Sequence, residues 1–191
     1  MEETKKKGLN TSSNSYTIIY SVVIVVVVAF LLAFVSSTLK PQQDENVALD
    51  KKKQILAALN IRDIDGAEAT EQYNKVVTAD KIIDRNGEEV EAGKQGGTEA
   101  GFLCNSTSTK EGKLALYVCN VDGETKYVIP VYGMGLWGGI SGYIALNADK
   151  QTVYGAYFNH EGETAGLGAE IKDSRKWQDQ FKGKHVFAAG K

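Results

Sequence analysis

Apolar side chains follow three different patterns along this chain. From Ile18 to Val35 the sequence reads IIYSVVIVVVVAFLLAFV, eighteen residues without a charge. As a helix rising about 1.5 Å per residue, it spans about 27 Å, close to the hydrocarbon thickness of a bilayer, about 30 Å. A cleaved signal peptide has a shorter apolar run, about 7–15 residues, and a small-residue cleavage site. FVSSTLK is a poor version of that site. The stretch therefore reads as an uncleaved anchor, with a transmembrane helix over residues 16–38. Lys5, Lys6 and Lys7 precede it, whereas Lys40 alone follows closely. The positive-inside bias then places residues 1–15 in the cytoplasm and the rest of the chain outside.

The second pattern is helical. In VALDKKKQILAALNI, Ala48, Leu49, Ile55, Leu56 and Leu59 form an apolar stripe, which predicts a short juxtamembrane helix within residues 39–62. AEATEQYNKVVTADKIID continues with weaker helical character, and the glycine-rich, charged DRNGEEVEAGKQGGTEAG reads as turns and edges.

The third pattern is strand-like. KLALYVCNVDGETKYVIPVYG has two β-rich runs around Asp122-Gly123, a strong hairpin signal. GYIALNADKQTVYGAYFN is a second pair, turning near Ala148–Lys150. A helix is expected from about Asp173 to Lys182, capped by Asp173 or Ser174, and His185-Val186-Phe187 begins another strand. Residues 63–191 therefore predict one α+β domain with an antiparallel sheet and flanking helices. A chain stopping at Lys191 is expected to leave a sheet edge unpaired.

Charge narrows the function. The residues after Lys40 carry 18 basic and 22 acidic side chains, and no basic stripe with interleaved aromatics appears, so a nucleic-acid partner is not expected. Cys104 and Cys119 lack metal-ligand spacing; they read equally as one disulfide or as two buried thiols. There is no G-x-S-x-G elbow and no phosphate-cradling fingerprint, so no catalytic residue is assigned. His160 with Glu161 and Glu163 is not a recognised metal spacing, and their charges read as those of a solvated turn. His185 reads as a strand-entry residue.

Two glycine-rich loops remain, GMGLWGG (133–139) and HEGETAGLGAE (160–170). An indole, a leucine and close-approaching glycine backbone suit a planar aromatic ligand. On patterning alone, Trp137 reads slightly better as a core residue capping the hairpin.

ETAGLG resembles the E-T-x-G-L-G loop of the FMN-binding domain found in the C subunit of the Na⁺-translocating NADH:quinone reductase and in the G subunit of the Rnf electron-transport complex. The order of segments is similar from about residue 15 onward: the apolar anchor, LDKKKQILAALNI, PVYGMGLWGGISGYIAL, YFNHEGETAGLGAEI and WQDQFKGK. The juxtamembrane helix and GMGLWG favour the reductase branch over the Rnf branch. The resemblance implies an electron-transfer subunit of the bacterial cytoplasmic membrane, inactive alone, with partner subunits and a periplasmic domain carrying FMN. By position Trp137, Glu163, Thr164, Gly166, Leu167 and Gly168 would line the flavin site. In the family FMN is attached through a threonine phosphoester in an S-G-A-T-x-T segment, which these 191 residues do not contain. The chain is therefore expected to be incomplete at its C-terminus, and Ala165 stands where many relatives have proline. A non-redox, membrane-anchored binding module is the competing reading.

Overall fold

The computed structural model describes residues 13–164 and 168–187. The chain divides into two units, Met1–Val47 and Ala48–Lys191. The first helix, α1 (Asn14–Ala58), runs through this division without a break. Ser13 starts it, its hydroxyl accepting the Tyr16 N–H at 3.2 Å. The expected separate juxtamembrane helix is thus the last part of α1, and Pro41 lies inside it. Proline removes one hydrogen bond and its ring crowds the preceding turn. The neighbouring Gln42, Gln43, Asp44 and Glu45 are all compatible with the helix that continues past it. Within the first unit the apolar side chains point outward all round, Phe30 being 70% and Leu32 66% exposed. Among the described residues, one helix is long and apolar enough to cross a membrane.

In the second unit the C-terminal turns of α1 bury Ile55, Leu56 and Leu59. Asp65 caps α2 (Gly66–Val76) by accepting the Glu68 N–H at 2.8 Å. The helical character expected through Asp84 stops at Val76, and β1 (Val77–Ile83) begins at once. Val77, Thr78, Ile82 and Ile83 are β-branched and favour the extended backbone. After the short β2 (Glu89–Glu91), a 3₁₀ turn at Gly101–Leu103 and the small α3 (Ser106–Lys110), four strands follow: β3 (Leu114–Val121), β4 (Glu124–Met134), β5 (Gly139–Leu146) and β6 (Val153–His160).

These strands form one antiparallel sheet in the order β2-β1-β3-β4-β5-β6. The α+β expectation holds. The β3–β4 hairpin turns on two residues, Asp122 (φ 52°) and Gly123 (φ 85°), as a primed turn requires. On β3, Ala115, Tyr117, Cys119 and Val121 alternate inward. They meet Ile55, Leu56 and Leu59 of α1, Tyr73 and Val76 of α2, Phe102, Val128 and Tyr143 in one core. Cys104 and Cys119 are free and buried, which settles their pairing.

After β6 the predicted single helix is broken into α4 (Glu170–Asp173), α5 (Arg175–Gln178) and a 3₁₀ turn at Asp179–Phe181. Ser174 is the break: its backbone is extended, and its hydroxyl caps α5 by accepting the Trp177 N–H at 3.2 Å. Trp177, Phe158 and Phe181 then meet with ring centroids 5.1–5.6 Å apart and hold this corner on β6. His185 makes an isolated bridge with Thr152, in place of the expected strand.

The outer edge of β6 is partly covered. Asn60 donates to the Tyr154 carbonyl at 3.2 Å and Arg62 to the Ala156 carbonyl at 3.0 Å. Gly183 N–H donates to the Val153 carbonyl at 2.8 Å. The expectation of a bare edge is corrected over these residues, because polar side chains after α1 substitute for a neighbouring strand.

Candidate functional site

Two loops leave the same end of the sheet. Met134 pairs with Gly139, so the β4–β5 connection is the tight loop Gly135–Gly138, closed by the Gly135 N–H on the Gly138 carbonyl at 2.8 Å. Its neighbour follows β6, whose last residue His160 pairs with Ile140. Register therefore puts Glu161–Thr164 beside Gly135–Gly139, although more than twenty residues separate them in sequence.

The two loops are joined by directed hydrogen bonds. Glu161 N–H donates to the Gly139 carbonyl at 3.0 Å, and the Gly139 N–H returns to Glu161 Oε2 at 3.3 Å. Trp137 N–H donates to Glu163 Oε1 at 3.2 Å. Glu163 N–H in turn donates to His160 Nδ1 at 3.1 Å, so this ring nitrogen is an acceptor here. The Thr164 carbonyl accepts the N–H groups of Gly168 and Ala169 at 3.1 and 3.2 Å. Glu161 is exposed and Glu163 half-buried, and beyond the solvated turn charges expected from the sequence both carboxylates accept amides of the facing loop.

The glycines in these loops make room for protein atoms. A Cβ on Gly135 would stand 2.2 Å from Glu163 Oε1, and one on Gly168 2.6 Å from Glu163 Oε2. A Cβ on Gly162 would press to 3.0 Å on the Trp137 carbonyl.

Of the residues singled out from the sequence, Trp137, Glu163, Thr164 and Gly168 come together at this end of the sheet. Gly166 and Leu167 lie outside the described residues. Trp137 is 69% exposed, which overturns its reading as a core residue; the tight loop carries the indole away from the sheet. Leu136 (83%) and Met134 (84%) are exposed beside it. The apolar tip thus stands above a hydrogen-bonded, acidic base. Sequence reasoning missed that His160, Glu161, Gly135 and Gly162 are parts of this base. The available signal was that each of the two loops carries glycines, and that the β5–β6 pairing aligns them.

Elsewhere, burial pushes the Cys119 thiol up to about 12 and raises that of Cys104. Neither is a low-pKa nucleophile.

Comparison with known proteins converges on the same segment. Residues 135–190, starting at the first glycine of the tight loop, match the FMN-binding domain family. The chain is 30% identical over 199 aligned residues to the C subunit of the Na(+)-translocating NADH-quinone reductase of Pseudomonas aeruginosa, covering 94% of this chain and 76% of that one. The corresponding protein of Haemophilus ducreyi is 33% identical, with 83% of this chain and 66% of the relative covered. The crystal structure of the same reductase's C subunit from Parabacteroides distasonis superposes with a TM-score of 0.73 at 38% identity, over 80% of this chain and 73% of that one. An N-terminal apolar helix, a six-stranded antiparallel sheet and this loop pair thus accompany extensive sequence likeness, and the chain belongs to the family of C subunits of the Na(+)-translocating NADH-quinone reductase.

Proposed function

We propose that this chain is the FMN-carrying electron-transfer subunit of a membrane-bound Na(+)-translocating NADH-quinone reductase, working with partner subunits and inactive alone. Its anchor is the uncharged stretch Ile18–Val35, with the N-terminus cytoplasmic and the sheet domain periplasmic. The observation that carries the reading is the exposed Trp137, held by Glu163 within the segment that matches the FMN-binding domain.

The residues fit such a cofactor. The largely exposed indole offers a face for stacking, and Leu136 offers apolar cover. The carboxylates of Glu161 and Glu163 are engaged with loop amides, which lowers their demand for other partners beside an anionic phosphate or a reduced ring. Thr164 is exposed and Gly168 sits beside it. Trp137, Thr164 and Gly168 would hold the cofactor, together with Gly166 and Leu167. FMN supplies the electron-carrier chemistry when bound, while the protein sets position and surroundings. Attachment in the family manner needs a threonine in an S-G-A-T-x-T segment, which the 191 residues lack; Thr164 belongs to the opposite loop and is not its substitute.

The test is to express the chain, and the chain with an S-G-A-T-x-T segment added after Lys191, together with a flavin-transferring enzyme. Intact mass and visible absorption are then recorded. An FMN-sized increment on the extended chain only supports the reading. No increment and no flavin absorption in either overturns it in favour of a non-redox membrane-anchored binding module, for which the exposed Met134, Leu136 and Trp137 would be the contact surface.

A further inference from the structure

We propose that Glu163 is a positioning residue: its carboxylate is a latch that fixes the Trp137 loop, acting as a hydrogen-bond acceptor and not as a charge presented to a ligand. The consequence for flavin rests on the function proposed above; the latch itself does not.

Three features of the described residues place the carboxylate between the loops. Its Oε1 accepts the Trp137 N–H at 3.2 Å. The same oxygen lies where a side chain on Gly135 would begin, 2.2 Å from that ideal Cβ, and Oε2 lies 2.6 Å from the ideal Cβ of Gly168. Glycine at both positions is therefore a steric condition for the carboxylate to sit there. The backbone of Glu163 is fixed from the other side, because its N–H donates to His160 Nδ1 at 3.1 Å, and His160 is paired in the sheet with Ile140. A continuous path of contacts runs from the sheet through His160 and Glu163 to the amide of Trp137. The glycines that suggest room for a ligand instead make room for this latch.

A carboxamide has the same shape and keeps an acceptor oxygen, so Glu163→Gln preserves an acceptor latch and removes its charge; Glu163→Ala removes both. The direct readout is amide hydrogen exchange at Trp137, measured in the full chain in detergent. Exchange is expected to accelerate about tenfold in Glu163→Ala and little in Glu163→Gln, since one hydrogen bond, which the carboxamide oxygen still accepts, sets the protection. Gly135→Ala and Gly168→Ala are expected to accelerate it as well, with Glu163 intact, by displacing the carboxylate. Unchanged exchange among the β3–β4 hairpin amides shows that each variant is folded. Unchanged Trp137 exchange in Glu163→Ala, or equal loss of protection in Gln and Ala, overturns the latch.

FMN titration of the same samples separates the two readings. Weaker FMN retention in Ala than in Gln, with the flavin midpoint potential unmoved in Gln, supports the positioning role; a potential that rises in Gln overturns it in favour of direct charge contact. If neither the unmutated chain nor its S-G-A-T-x-T extension retains FMN, the function proposed above fails, and the exchange comparison still decides the latch.

Discussion

At the scale of single residues, Asp80 shows what it takes to remove a carboxylate from water. It is 1% exposed and accepts the N–H groups of Lys94 at 3.1 Å, Ala100 at 3.1 Å and Phe102 at 3.3 Å. These bonds wrap residues 93–102 over the middle of β1. Asp80→Ala strands these donors and is expected to cost about 3 kcal/mol in denaturant unfolding, since each buried unsatisfied group costs about 1–3 kcal/mol; a loss below about 1 kcal/mol would mean that water takes its place. Cys119 makes the pH-dependent case. Burial raises its thiol from a reference of 9.0 to about 12, so between those values the unfolded chain has lost its proton while the folded one still holds it. Fewer protons on the unfolded state means that stability falls as pH rises through this window, by up to about 1.4 kcal/mol per unit. Unfolding curves from pH 9 to 11 should fall more steeply for the unmutated chain than for Cys119→Ala. Parallel curves would show that the thiol does not feel its burial. The free state of both cysteines was beyond the sequence, because pairing depends on where the 3₁₀ turn at Gly101–Leu103 leaves Cys104 and where β3 carries Cys119.

The elements divide by how local their causes are. The β3–β4 turn was legible in Asp122-Gly123 because a primed two-residue turn needs positive φ at both places, and few residue pairs provide it. Nothing lies within 4 Å of a Cβ built on Gly123, so Gly123→Ala tests backbone conformation alone. A loss of about 1–2 kcal/mol in thermal or denaturant unfolding is expected; no loss would show that the turn relaxes to another type. Other elements misled for equally physical reasons. The run from Ala67 to Asp84 contains a helix and a strand with no punctuation between them, and the β-branched residues from Val77 on become a strand where Val77 packs into the sheet core. The stretch after Asp173 has helical composition, yet Ser174 binds the Trp177 amide and restarts the helix. The Phe158, Trp177 and Phe181 contacts reward that corner, and they join residues far apart in sequence.

At the scale of the whole molecule, α1 carries a charge-free stretch, Ile18–Val35, of the length that crosses a bilayer, and its last turns supply Ile55 and Leu56 to the core of the sheet domain. The proposed orientation has a direct test. Lys94 has an exposed side chain, and Lys94→Cys in a chain whose buried cysteines are unreactive should be labelled in intact spheroplasts by a membrane-impermeant maleimide. Labelling only after lysis would reverse the orientation. The long apolar helix, the antiparallel α+β class, the hairpin turns and the likeness of the glycine-loop segment to the FMN-binding domain were determined by the sequence itself. Each rests on periodicity, on residue-specific backbone preference or on a contiguous motif, all of which are local along the chain. Only the tertiary structure decided that Trp137 is exposed, that Glu161 and Glu163 serve the facing loop, and that Gly135 and Gly168 yield their side-chain space to one carboxylate. Those features depend on the register of β4, β5 and β6, which brings together residues about thirty positions apart; a pattern read along the chain carries no measure of that distance.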